Sequence, residues 1–177
     1  MLWIKPVLIK QIQTEALSSG KFTLASGQES NYYIDLSKIL FSNGLELLCK
    51  VILDEVNFTD IDAIGGPAIG AIPIVSGIQV LRPYIGRSFF TRKETKEYGK
   101  KELIEGNLRK DDEVLLFEDV TTTGNSLLRS ALAVKEYGAN VREVISVLDR
   151  NQGAKELFAQ NNLSFRSLIN IDEVLNK

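Results

Sequence analysis

Apolar residues recur along the chain with two periods. From Val7 to Ser19 they fall at Leu8, Ile9, Ile12, Ala16 and Leu17, the three-and-four spacing of an amphipathic helix, and Gly20 follows as a C-cap candidate. Ser42 to Val56 repeats that spacing, with Ser42 as N-cap and Leu45, Leu48, Cys49 and Ile52 on one face. Between the two, Lys21 to Ile34 predicts a pair of short extended pieces around Ala25-Ser26-Gly27. Beyond Asp60 the pattern alternates. Strands are predicted at Ile61–Ile64, Arg87–Thr91, Val114–Phe117, Val141–Leu148 and Phe165–Ile169. Helices are predicted at Ile69–Leu81, Ser126–Tyr137 (closed by Gly138) and Gly153–Gln160. Val114–Phe117 is apolar throughout, as a strand covered on both faces requires. The alternation predicts an α/β fold, with a central parallel sheet and helices on both faces.

Composition sharpens this picture by exclusion. The 177 residues amount to one domain, and no linker, repeat or low-complexity tract interrupts them. Lys and Arg number 21 against 23 Asp and Glu, so the basic excess of a nucleic-acid binder is missing. The one cysteine, Cys49, allows no intrachain disulfide and fits a reducing, cytoplasmic setting. No run approaches the ~18 apolar residues of a membrane span, and Lys5 interrupts the short apolar start, so no membrane association or targeting segment is expected. There is no histidine. Histidine bases, histidine-bound zinc and Ser-His-Asp triads are all excluded.

The chemistry concentrates in Val114-Leu115-Leu116-Phe117-Glu118-Asp119-Val120-Thr121-Thr122-Thr123-Gly124-Asn125-Ser126. An apolar strand ends in two acids, a hydroxyl- and glycine-containing turn follows, and a helix begins at once. Ligands of open α/β sheets bind beyond the carboxyl ends of strands. Turn amides and a helix N-terminus there make an anion site, to which Thr122, Thr123 and Ser126 can add hydroxyl donors. Two carboxylates just ahead of a phosphate can hold the hydroxyls of a phosphorylated sugar. A Walker loop would need a Lys after its last Gly, and Gly65-Gly66-Pro67-Ala68-Ile69-Gly70 does not supply a dinucleotide fingerprint. The bland alternative is an N-capped helix after a strand.

This segment resembles the phosphoribosyl-diphosphate (PRPP) motif of type I phosphoribosyltransferases, with Thr121 in place of the second apolar residue and Asn125 in place of the usual second Gly. Other segments narrow the likeness. Phe22-Thr23-Leu24-Ala25-Ser26-Gly27 with Ser30-Asn31-Tyr32-Tyr33-Ile34-Asp35 is similar to the orotate-binding segment of orotate phosphoribosyltransferases. Phe90-Thr91-Arg92-Lys93-Glu94 through Lys96 and Gly99 to Leu103-Ile104-Glu105-Gly106 is similar to that family's mobile catalytic loop, and Asp149-Arg150 with Gly153 to its late segment. The resemblance runs nearly the length of the chain. The family's usual His stands as Tyr98 here, its Pro as Asn31, and an Arg of many members as Ser37; Ala25 takes a position where some members carry a Lys.

The resemblance implies a type I phosphoribosyltransferase fold over residues 1–177, with a small N-terminal hood at 21–40 and a mobile catalytic loop at 92–105. It implies transfer of ribose 5-phosphate from PRPP to orotate with Mg²⁺, in pyrimidine biosynthesis, by a homodimer whose loop is shared across the interface. The PRPP-binding residues would be Arg92, Lys93, Lys96, Glu118, Asp119, Val120, Thr121, Thr122, Thr123, Gly124, Asn125 and Ser126, with Lys96, Asp119 and Glu118 catalytic. Gly66, Pro67, Ala68, Ile69 and Gly70 would form the pyrophosphate loop. Tyr33, Ile34, Thr122 and Arg150 would meet orotate, Arg150 pairing with its carboxylate. No protein-only metal cage is visible. A phosphoribosyltransferase for another base, or a PRPP- or nucleotide-sensing regulator on the same fold, remains the alternative.

Overall fold

The computed structural model of the chain describes residues 3–23, 29–93 and 103–176. Its centre is a six-stranded sheet. The strands are β3 (Ala63–Gly65), β4 (Arg87–Thr91), β5 (Ile104–Gly106), β6 (Glu113–Thr121), β7 (Asn140–Asp149) and β8 (Phe165–Asn170). They lie in the order β5-β4-β3-β6-β7-β8. All pair in parallel except β5, which runs antiparallel to β4 at the edge. The expected parallel α/β sheet is therefore present, with one antiparallel strand that the polar character of residues 92–112 concealed.

The apolar run of β6 explains the layering. Side chains alternate across a strand. Leu115 and Phe117 enter one core with Leu8 and Ile12, Ile39, Leu48, Ile52, Ile74 and Ile78, whereas Val114 and Leu116 enter another with Leu127, Ala131, Val134 and Phe158. The first core is closed by α1 (Ile4–Gln11), α3 (Gly44–Glu55) and α4 (Ala71–Leu81), the second by α5 (Asn125–Tyr137) and α6 (Ala154–Gln160).

The N-terminal reading needs correction. The helix begins at Ile4 and leaves α geometry in a π turn at Ile12–Ala16, and Leu17–Thr23 is already strand β1. Gly20 lies inside that strand, where the register with β2 (Glu29–Ile34) shifts between Ser19 and Phe22, and caps nothing. The strands form a separate two-stranded antiparallel sheet. The short helices α2 (Ser37–Leu40) and α7 (Ile171–Leu175) were also unpredicted. Asn170 and Glu173 build a reciprocal capping box on α7. Ser42 sits one residue before the α3 N-cap, yet its hydroxyl accepts from the Gly44 amide at 3.1 Å. Ile34, Leu36, Ile39 and Leu40 are buried in the first core, which anchors the hairpin segment to the body.

Candidate active site

Strand β6 continues through both acids, so Glu118 and Asp119 leave it on opposite faces. Glu118 turns toward α5. Burial and the adjacent Asp119 push its carboxyl up to about 8, against the opposing pull of the Ser126 hydroxyl, Arg129 and Lys93. Asp119 turns toward the loop before α4, and its carboxylate fills the space that a side chain on Gly70 would need. Burial raises its pKa, opposed by its own and the Val120 amides, and the Asp35 charge adds to the rise. Asp119 thus faces the glycine loop, and Glu118 faces α5 and Lys93.

The turn after β6 has the form of an anion cradle. Gly124 sits at φ 86°, a left-handed conformation that glycine adopts without penalty, and serves as N-cap of α5. The first helical bond recorded there runs from the Leu128 amide to the Gly124 carbonyl at 2.9 Å, leaving the amides of the first turn for a ligand. Asn125 Nδ2 donates to Thr123 Oγ1 at 3.1 Å, which steadies the exposed part of the turn. Thr121 is buried, its hydroxyl without a partner among the described residues, and Val120 packs its side chain on the first core. Gly124 has a second reason to be glycine: a Cβ there would stand 3.0 Å from the Phe158 ring and 3.3 Å from Ala154 Cβ.

Gly66 to Gly70 is locked beside this turn. The Ala68 amide donates to the Thr91 carbonyl at 2.8 Å and the Thr91 amide to the Gly66 carbonyl at 2.9 Å. A side chain on Gly66 would run into the Phe117 carbonyl. The Ala68–Ile69 peptide is cis, and Ile69 is 73% exposed. The loop is thus packed tightly against β6 at Gly66 and leaves Ile69 exposed.

Arg92 and Lys93 stand where β4 ends. Arg92 Nη1 meets Glu105 Oε1 at 2.7 Å across the β4–β5 ladder, and the Arg92 amide donates to the Leu103 carbonyl at 2.8 Å. The loop base is thus a hairpin stem. Lys96 and Tyr98 lie outside the described residues, as does the turn at Ala25-Ser26-Gly27.

Just beyond β7, Arg150 is only 9% exposed, and neither its Nε nor its Nη2 finds an acceptor among the described residues. Its amide donates to the Thr121 carbonyl at 2.9 Å, which fixes it beside the end of β6, and its guanidinium lies 5.1 Å from the Tyr32 ring centroid. Tyr33 is 45% exposed and stacks obliquely on Phe22. Ile34 is core, so its side chain is not presented to a base. Sequence reasoning missed Arg129 and Asp35 as neighbours of the acids. Arg129 stands one helical turn beyond Ser126, a spacing that could have pointed to it. Asp35 reaches Asp119 only through the packing of the hairpin segment.

An acid-bearing strand feeding a glycine turn and a helix, a second glycine loop in contact with the acid, and an aromatic hairpin beside a buried cation match the arrangement of a type I phosphoribosyltransferase fold. No protein-family profile matches the chain. It is 38% identical over 164 residues to the orotate phosphoribosyltransferase of Methanosphaera stadtmanae, covering 91% of this chain and 90% of that one. Its backbone matches that of Mycobacterium tuberculosis orotate phosphoribosyltransferase in complex with Fe(III) dicitrate at a TM-score of 0.85, with 30% identity, covering 97% of this chain and 98% of that one. The same enzyme in complex with PRPP gives 0.81 at 28% identity, with the same coverage. The chain belongs to the orotate phosphoribosyltransferase family.

Proposed function

We propose that the chain transfers the phosphoribosyl group of PRPP to the ring nitrogen of orotate, giving orotidine 5′-phosphate and pyrophosphate in pyrimidine biosynthesis. The observation that carries the choice of acceptor is the buried guanidinium of Arg150, with two nitrogens lacking acceptors among the described residues. A buried cation is costly without an anion, and a pyrimidine carboxylate supplies one.

PRPP seats its 5′-phosphate on the turn from Thr122 to Ser126 and its diphosphate against Gly66 to Gly70. Asp119 takes the ribose hydroxyls and stabilises the positive charge that builds on the ring as the C1–O bond to diphosphate breaks. The acceptor nitrogen forms the new bond at C1. Orotate arriving as the nitrogen anion needs no protein base, which suits a chain without histidine. Arg92, Lys93 and Lys96 meet the leaving diphosphate when the loop at 92–105 closes over the site, and the segment at 21–40 forms the hood of a single domain. When bound, Mg²⁺ would neutralise charge on the diphosphate, held mainly by substrate oxygens and water as its coordination preference favours. The active form is a homodimer, with Lys96 serving the neighbouring site. Among the described residues no helix is long and apolar enough to cross a membrane; a reducing compartment, the cytoplasm, suits the one free thiol of Cys49.

Pyrophosphate release measured over a panel of bases tests the choice of acceptor. Orotate alone should give rapid release. Release with a purine or with uracil instead would install the other-base reading, and PRPP binding without release for any base would install the regulator.

A further inference from the structure

We infer that Tyr32 is a positioning residue for the acceptor base: its ring holds the Arg150 guanidinium in place while leaving the cation's hydrogen-bonding edge free. The inference rests on the reading that Arg150 takes the acceptor's carboxylate.

Arg150 is fixed at its backbone by the 2.9 Å bond to the Thr121 carbonyl, but its side chain has no such tether at Nε or Nη2 among the described residues. The carboxylate next to it in sequence does not provide one. Asp149 Oδ1 accepts from the Asn151 amide at 3.0 Å. What does meet the guanidinium is the face of Tyr32, 5.1 Å away. An aromatic face attracts a cation through its quadrupole and consumes no N–H. A carboxylate in the same place would occupy the planar fork that a substrate carboxylate needs.

Tyr32 is itself held firmly. It pairs with Ser19 across the hairpin, and the Ser30 hydroxyl donates to its carbonyl at 2.8 Å. Its ring packs on the first core. The Tyr32 ring thus connects the hairpin to Arg150, and the apolar ring keeps water from one side of the cation.

The test replaces the ring without changing the fold. Tyr32→Phe should leave the KM for orotate within about twofold. Replacing Tyr32 by phenylalanines that carry one to five ring fluorines keeps the shape and progressively removes the negative face. Across that series the KM for orotate should climb to about three- to thirtyfold, the range of an interaction of this type, while the KM for PRPP and the melting temperature stay level. Tyr32→Leu should raise the orotate KM to the same level, with a lower melting temperature from the lost ring packing on the first core. A flat orotate KM across the series, with Arg150→Lys raising it, would overturn the role of Tyr32 and leave the carboxylate assignment standing. A flat orotate KM in Arg150→Lys would remove that assignment and the inference with it. A purely structural Tyr32 would move both KM values and the melting temperature together.

Discussion

The carboxylate of Asp119 occupies the space that a side chain on Gly70 would need. One residue ends the acid pair of β6 and the other ends the loop before α4, so the two halves of the proposed PRPP site meet at this contact without an intervening residue. Asp119→Asn keeps the shape and removes the charge beside the developing cation. Its kcat should fall roughly a hundredfold or more with the melting temperature little changed, by the scale of other deleted electrostatic contacts. Gly70→Ala should show a similar loss of kcat by pushing the intact carboxylate aside. Turnover near wild type in Asp119→Asn would remove its role.

Gly124 does not offer an isolated test of phosphate binding. Its positive φ and the closeness of Phe158 and Ala154 make Gly124→Val a folding lesion first. Urea unfolding should show destabilisation of about 1–3 kcal/mol or more, by strain and overpacking together. Ser126→Ala is the cleaner probe of the cradle, and calorimetry should give weaker PRPP binding at near-normal stability.

Glu118 sets a pH dependence. Its folded value of about 8 lies above its ordinary 4.5. Between those values the folded chain holds a proton that the unfolded chain has released, so this group's contribution to stability falls as pH rises from 4.5 to 8. The melting temperature of Glu118→Gln, relative to wild type, should therefore increase steadily across that window. Parallel melting curves would show that Glu118 ionises normally.

The strands were legible in the sequence because β6 is apolar on both faces and because the turn after it has a composition that few other structures use. β5 and α7 were not legible, since three residues and five residues carry too little periodicity. The π turn at Ile12–Ala16 continued the helical spacing that made Val7–Ser19 read as one element. The site residues were named from motif order, but their orientation came from packing. Nothing in the string Glu118-Asp119 says that a strand continues through both and turns them to opposite faces. Tyr32 and Arg150 are 118 positions apart, and only the tertiary fold brings the ring to the cation.

The proposed sharing of the catalytic loop between two chains predicts complementation. Lys96→Ala and Asp119→Asn homodimers should each be nearly inactive. In a hybrid dimer one site collects both defects and the other neither. Co-refolding equal amounts makes half of the dimers hybrid, and activity should return to about a quarter of wild type by two-fold symmetry. Verified hybrids without recovery would place Lys96 in its own chain's site.

The most direct measurement follows orotate itself, through the loss of its ultraviolet band in the presence of PRPP and Mg²⁺, with pyrophosphate counted in the same sample. The account predicts orotate consumed and pyrophosphate released one for one, with both abolished together in Arg150→Ala at orotate concentrations that saturate the wild type. Pyrophosphate released while the orotate band persists, or PRPP bound with neither change, would contradict it.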